Sequence, residues 1–403
     1  MSKSVKRGAD DYQRLAAAIA GQPLPLALVD LGAFDANLDA MLKPVRAAGK
    51  TLRLATKSIR CPALLRLAIE RGGPAVRGLL TFSAAETAAL AGLGFRDLLL
   101  AYPTAQASDA AILADLNGRQ QEAAVAVDCE EHVALLEDAA ARARTSIPLV
   151  IDVDVAWRPV GKQVHVGVRR SPLREPPPVV ALAKRIAGSR HLTFAGLLAY
   201  EAQIAGLGDE AWIVRQMKRL STPDVSRARQ RLVEALATAR VPPRLFNGGG
   251  TGSLQSAAAD GALTEIAAGS GLLCGHSFDR RNGVPLVPAL YFGLQVTRRP
   301  AKDLITVQGA GRLIGSGSVD ASRLPLPALP AGLALLPLEG AGEVQTPLKL
   351  PKGLSLPLGA PVFFRPAKSG EPLEAVNEVL LVRGAAIVGR APTYRGMGHA
   401  FGV

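Results

Sequence analysis

Cysteine and aromatic residues are both scarce in this chain. Cys61, Cys129 and Cys274 are its only cysteines; they stand far apart and form no Cys-x-x-Cys pair. A disulfide framework or a zinc knuckle needs more thiols or closer ones, so the chain reads as a reduced, cytoplasmic protein. Phe, Trp and Tyr make up 4% of the residues, too few to build a base-stacking platform. No run of 18 uncharged apolar residues occurs, and no membrane-spanning helix is predicted. The opening stretch MSKSVKRGADDYQR is basic, then acidic, without the apolar run and cleavage site of a secretory signal. His-Glu-x-x-His and other familiar metal spacings are missing, and so is the nucleotide phosphate loop GxxxxGK[ST].

Positive charge and apolar residues are abundant. The net charge is +13, but the arginines are scattered through helix-like segments instead of forming one block. That pattern reads as a solvated basic surface and not as a nucleic-acid interface. Its field would draw in an anionic cofactor and a carboxylate substrate. The 403 residues are too many for one ordinary domain. They suit a barrel of about 250 residues with a smaller domain beside it.

Short apolar runs at 52–58, 78–83, 97–104, 123–129, 147–155, 194–201, 244–249 and 263–270 predict eight strands buried on both faces. Helical periods fill the gaps, for example at 62–71, 84–93, 131–144 and 179–187. Ser83 and Glu86 have the spacing of a capping box at one strand-to-helix junction. Strand–helix alternation means parallel pairing through right-handed crossovers. Eight units predict a closed α/β barrel of the (β/α)8 type, with an open doubly wound sheet as the runner-up. Beyond about residue 285, Pro and Gly punctuate short strand-like runs at 289–296, 303–307, 361–364 and 378–382, which predict a mostly β domain. The expected division is an N-terminal helix and strand over 1–30, a barrel over 31–284 and a β domain over 285–403, with the strand LALVD at 26–30 joining the β domain.

In such a barrel the chemistry belongs at the carboxyl ends of the strands. Lys57 is read as ending the first strand. A lysine in an apolar strand must be paired or neutral, and desolvation of that kind makes a nucleophilic, Schiff-base lysine. The bland alternative is a lysine emerging into solvent. Gly248-Gly249-Gly250-Thr251-Gly252-Ser253 follows the seventh strand, where barrels often hold phosphate; glycine lets backbone amides approach an anion, and the hydroxyls add donors. Gly269-Ser270-Gly271 after the eighth strand offers the same physics or a simple turn. Tyr200 and Glu201 end the sixth strand. Asp152 and Asp154 alternate in the fifth strand and face one side. His165 follows in Val164-His165-Val166-Gly167-Val168.

Taken in order, Val29-Asp30-Leu31, Leu54-Ala55-Thr56-Lys57-Ser58-Ile59-Arg60-Cys61, Tyr200-Glu201, Gly248-Gly249-Gly250-Thr251-Gly252 and Gly269-Ser270-Gly271 resemble the D-threonine aldolase and D-serine dehydratase group. These are fold-type III pyridoxal 5'-phosphate (PLP) enzymes with an alanine racemase-like barrel and a C-terminal β domain. The resemblance implies a PLP-dependent lyase that acts on D-3-hydroxy amino acids, by retro-aldol cleavage or by dehydration. It implies that Lys57 forms a Schiff base with PLP. Gly249, Gly250, Thr251, Gly269 and Ser270 would hold the phosphate, and Tyr200 would lie beside the cofactor. His165 stands where the group often has an arginine directed at the cofactor's phenolic oxygen. It further implies a homodimer and a small amino-acid substrate, with no membrane and no nucleic acid involved. An amino-acid racemase on the same barrel and a non-catalytic PLP-binding protein are the alternatives; the latter class commonly lacks the β domain.

One stretch departs from the group. Where the group carries a His-x-Cys or His-x-Asp metal pair, this chain reads Phe364-Arg365-Pro366-Ala367-Lys368-Ser369-Gly370-Glu371, without His or Cys. No metal ligands are therefore assigned. Lys368 or Arg365 would supply positive charge in place of a divalent ion, and His399 is a distant candidate ligand.

Overall fold

Eight short, apolar segments meet edge to edge, and the last closes on the first. In the computed structural model, which describes residues 9–283, 285–315 and 321–401, they form a closed parallel barrel. The first eight residues of the expected N-terminal segment and Val284, at the expected barrel boundary, lie outside the described residues. Ahead of the barrel come helix α1 (Ala9–Ala18), strand β1 (Leu26–Asp30) and helix α2 (Leu31–Ala47). The barrel strands are β2 (Thr51–Ala55), β3 (Val76–Thr81), β4 (Leu98–Leu100), β5 (Ala123–Val127), β6 (Ile147–Asp152), β7 (Leu192–Ala199), β8 (Leu245–Gly248) and β9 (Glu265–Ala268). Closure runs through β2 and β9, with Thr51 opposite Glu265 and Leu54 opposite Ala268.

Between successive strands lie α3 (Pro62–Gly72), α4 (Ala84–Gly92), α5 (Ala107–Gly118), α6 (Glu130–Arg142) and α7 (Pro176–Ala187). The pair α8 (Ala202–Ala205) and α9 (Trp212–Thr238) follows β7, α10 (Leu254–Ala259) follows β8, and α11 (Ser270–Leu273) follows β9. The Ser83 hydroxyl accepts from the Glu86 amide at 3.1 Å, while the Glu86 carboxylate reaches back to the Phe82 amide at 2.7 Å. One amide that an isolated helix would leave bare is thereby satisfied, together with the amide just before the cap.

The strands are shorter at their carboxyl ends than the apolar runs suggest. The first stops at Ala55 and the third at Leu100. Beyond these points the backbone leaves the ladder for the loops, after Leu100 while the residues are still apolar (Ala101, Tyr102). Deeper in the barrel, Arg53 is buried and bonded on every side. It donates to Glu265 at 2.6 and 3.0 Å and to the Asp97 carboxylate at 2.8 Å, while Asn247 donates to Glu265 at 2.6 Å. Gly78, at φ +68°, makes room for this network, since a Cβ there would lie 2.2 Å from the Asp97 carbonyl oxygen.

The remaining strands build a mostly β sheet. They are β10 (Leu290–Ala301), β11 (Leu304–Gln308), β12 (Leu326–Leu329), β13 (Ala334–Leu335), β14 (Gln345–Lys349), β15 (Pro361–Arg365), β16 (Glu378–Arg383) and β17 (Ala386–Pro392). The order is β13-β14-β11-β10-β1-β16-β17, and β15 pairs with β10 and β12. β1 therefore lies inside this sheet, antiparallel to β10 and parallel to β16. Leu15, Ile19, Leu28, Tyr291, Phe363 and Leu380 form its buried core. Asp30, at the end of β1, accepts from the amides of Gly32 and Ala33 and thereby caps α2.

By Cα proximity the chain divides into two compact units: residues up to 40 with 57–68 and 270–400, and residues 41–56 with 69–269 and the C-terminal end. Among the described residues, no helix is long and apolar enough to cross a membrane.

Candidate active site at the carboxyl ends of the barrel strands

In the first unit, Lys57 lies two residues beyond the last strand residue, Ala55, in a 3₁₀ turn (Thr56–Ser58), and is exposed. This corrects the reading of a lysine embedded in a strand: the residue stands in the turn that follows it. Among the described residues, it is the one lysine within two positions of the carboxyl end of a barrel strand. Its backbone is held firmly. The Ser369 hydroxyl donates to the Ser58 carbonyl at 2.8 Å, and a Cβ on Gly370 would lie 2.0 Å from the Lys57 carbonyl oxygen. Arg60 pairs with Glu374, and the Arg60 carbonyl accepts from the Tyr394 amide at 2.9 Å. The loop 365–371 is thus pinned to the turn that carries Lys57.

The two cations offered by that loop have different fates. Arg365 is buried and forks onto Asp279 at 2.7 and 2.8 Å, with a further bond to the Cys274 carbonyl. It is a structural clasp and has no charge to offer a ligand. Lys368 is half-buried, with Glu371 at 3.4 Å. His399 sits in the terminal turn, its amide bonded to the Tyr394 carbonyl.

In the second unit, Glu201 organises the glycine loop. It is buried to 1% exposure. One carboxylate oxygen accepts from the Gly249 amide at 3.0 Å and also pairs with Arg229; the other accepts from the Ser253 hydroxyl at 2.7 Å. Arg229, equally buried, reaches Asp260 at 2.9 Å and the Ala199 carbonyl at 2.7 Å. Ser253 in turn accepts from the Gly250 amide at 3.1 Å. The amides of Gly249 and Gly250, expected to face an anion, are therefore engaged within the chain. Thr251–Ser253 forms the 3₁₀ turn that follows, and the Gly252 amide is outside this network.

The glycines serve fit. Gly249 has φ +86°, and a Cβ there would lie 2.6 Å from Ile266 Cγ2. A Cβ on Gly250 would press to 3.3 Å from the Tyr200 ring, and one on Gly269 to 2.5 Å from the Ala55 carbonyl oxygen. The backbone is kept bare so that the loop packs closely on Ile266 and Tyr200, and Gly269 on the end of β2. Ser270, just past Gly269, opens α11 in the first unit.

The cation beside Tyr200 was not singled out from the sequence. Arg170 places its guanidinium 5.6 Å from the Tyr200 ring centroid and 5.8 Å from that of Tyr102. His165, two turns of loop earlier, faces the Val168 carbonyl at 3.1 Å. Asp152 and Asp154 also part company. Asp152 ends β6, and burial pushes its carboxyl up to about 7, against the lowering pull of Arg170. Asp154 lies beyond the strand and is structural: it accepts from the Ala156 amide at 2.7 Å and pairs with Arg158.

The family model for the alanine racemase N-terminal domain matches residues 29–276, from β1 through the barrel. The chain belongs to this family. A D-threonine aldolase of Arthrobacter sp is 28% identical over 260 residues, a match covering 62% of this chain and 62% of that protein. A 3-hydroxy-D-aspartate aldolase of Paracoccus denitrificans (strain Pd 1222) is 26% identical over 246 residues, covering 61% of this chain and 59% of that one. The chain thus matches about three-fifths of the length of these relatives. The crystal structure of D-threonine aldolase from Filomicrobium marinum superposes with a TM-score of 0.80 at 21% identity, covering 93% of this chain and 95% of that one. The structural likeness extends through the β sheet unit as well as the barrel, so the alanine racemase-like fold holds for nearly the whole chain.

Proposed function

We propose that this chain is a PLP-dependent lyase that cleaves D-3-hydroxy amino acids, with Lys57 carrying the cofactor. The observation behind this reading is Lys57 itself, the one lysine among the described residues within two positions of a barrel strand's carboxyl end, on a backbone clamped by Ser369 and Gly370. The named aldolase relatives support retro-aldol cleavage over racemisation. Gly249, Gly250, Thr251, Gly269 and Ser270 would hold the phosphate, on a loop that its glycines let fold tightly against Tyr200 and Ile266. Tyr200 would lie along the ring, steadied by Arg170. When bound, PLP supplies an electron sink for the bond broken at the substrate α-carbon.

The chain's own residues do the rest. Glu201 fixes the loop through Gly249 and Ser253, so the anion site is preorganised. Asp152 holds a proton on its carboxyl up to about pH 7. Lys368 would supply positive charge at the substrate's β-substituent, in a loop that offers no His or Cys to a divalent ion. The working form is a homodimer in the cytoplasm; light scattering checks the first of these.

The test is spectroscopic and chemical. The purified chain with PLP is reduced with borohydride and mapped by peptide mass, and it is incubated with D-threonine and with 3-hydroxy-D-aspartate. Label on Lys57 with release of glycine supports the reading. A 2-oxo acid as product makes it a dehydratase, the L-enantiomer makes it a racemase, and label elsewhere overturns it.

A further inference from the structure

β5 ends at Val127, and three groups with metal-binding atoms follow within five residues: Asp128, Cys129 and His132. Their donor atoms converge. Cys129 Sγ lies 3.2 Å from His132 Nδ1, Asp128 Oδ1 lies 3.0 Å from the same nitrogen, and all three atoms fall within 4.8 Å of one another. We propose that this cluster binds a divalent ion of the zinc class.

Two features favour an ion over a plain helix cap. Cys129 occupies the N-cap of α6, where a thiol is a weak partner: it meets the His132 amide and the Glu131 carboxylate, and its sulfur also lies against the His132 ring nitrogen. The Ser, Thr, Asp or Asn that suit this position are replaced by a residue that caps only weakly. Further, one ring nitrogen faces both a thiol and a carboxylate. A neutral imidazole nitrogen has either one proton or one lone pair, so no tautomer gives both contacts a full hydrogen bond. A cation between the three satisfies them together, taking the nitrogen lone pair, a thiolate and a carboxylate. Two anionic ligands and one neutral ligand match a +2 ion, and S, N and O together are the donor set of zinc.

The geometry needs little adjustment. Ligands at about 2.0–2.3 Å in a tetrahedron stand roughly 3.3–3.6 Å apart, a few tenths of an ångström wider than the two contacts seen. Glu130 and Glu131 in the first turn of α6 offset the positive end of the helix, which would otherwise repel a cation. Three protein ligands leave a fourth position open for water or a small ligand, at the end of the barrel that also bears Asp152 and Tyr200. None of the three residues belongs to the set proposed to hold PLP.

Cys129 also provides the readout, because Cys61 and Cys274 are buried. The full chain is treated with a thiol-reactive disulfide reagent, with and without zinc chloride. One fast thiol is expected, absent in Cys129→Ser, and zinc should slow its reaction at least tenfold. His132→Ala should keep the fast thiol and lose the protection; Asp128→Asn is the second variant, used should His132→Ala expose all three thiols by unfolding. Cobalt(II) should give a thiolate charge-transfer band, seen as a difference spectrum at equal PLP content and missing in Cys129→Ser. Zinc that leaves the thiol rate unchanged, or that protects equally in both the histidine and aspartate variants, overturns the proposal. Such a result leaves the label on Lys57 and the product analysis unaffected.

Discussion

A carboxyl group that keeps its proton to about pH 7 is one that its surroundings resist ionising. Asp152 is such a group, because burial outweighs the attraction of Arg170 and is reinforced by Asp128 and Asp154. Between its ordinary 3.8 and about 7, the folded chain binds this proton more tightly than the unfolded chain does. The stability it contributes is therefore full below pH 4 and is lost as the pH rises through 7. Asp152→Asn removes that dependence. Urea titrations at pH 5 and pH 8 should show the variant gaining on the parent at the higher pH, by on the order of a few kcal/mol; an equal difference at both values would refute the assignment. Gly249 makes a second prediction at this scale. Gly249→Ala combines a positive φ with a Cβ 2.6 Å from Ile266, and it should destabilise the fold by about 1–3 kcal/mol. Weaker retention of PLP on gel filtration should accompany the loss. Residues of this kind divide by legibility. Lys57 and Tyr200 were visible in the sequence because they directly follow apolar runs. Arg170 and the Asp128-Cys129-His132 cluster were not, since only the folded loop brings a cation over a ring or a thiol against an imidazole.

At the scale of elements, the eight strands were legible because a strand buried on both faces is a continuous apolar run. Their ends were not. Apolar residues continue past the last ladder bond into the loops, so 97–104 reads as a strand whereas only Leu98–Leu100 pairs. Helix α9 shows the same limit. It is rich in arginine and looks like a solvated face, yet Ser221, Val225, Arg229, Leu232 and Leu236 recur at helical spacing along its buried side. Arg229 thus enters the interior and ties the end of β7, the glycine loop and Asp260 together. Removing one member of a buried ionic set leaves the others without a counter-charge, which typically costs about 3–5 kcal/mol. Arg229→Met should lose that much in urea unfolding. Arg229→Lys should recover only part, because one ammonium cannot reproduce the fork that serves two carboxylates and a carbonyl. An Arg229→Met variant as stable as the parent would show that Glu201 and Asp260 find other partners.

At the scale of the whole molecule, the linear boundaries seen in the sequence understate how the chain is interleaved. The strand at 26–30 precedes the barrel, yet in the sheet it lies between β10 and β16, with Leu28 opposite Tyr291 on one side and Leu380 on the other. Its neighbour α1 brings Leu15 and Ile19 into the same core. The sheet unit is therefore completed by a segment some 260 residues upstream of its next strand; the sequence joins 26–30 to the β domain but does not say between which strands it lies. A fragment that begins at residue 285 lacks the strand that joins its two halves. β16 and β17 would then hold only to each other, and two-stranded ribbons are marginal in water. The expected outcome is that residues 285–403 alone show no cooperative unfolding by circular dichroism, and that proteases cut first within 378–392. The same fragment preceded by residues 9–30 through a flexible linker should regain a cooperative transition. If the shorter fragment melts cooperatively on its own, β1 is an accessory to the sheet, and the C-terminal unit would be independent of the rest of the fold.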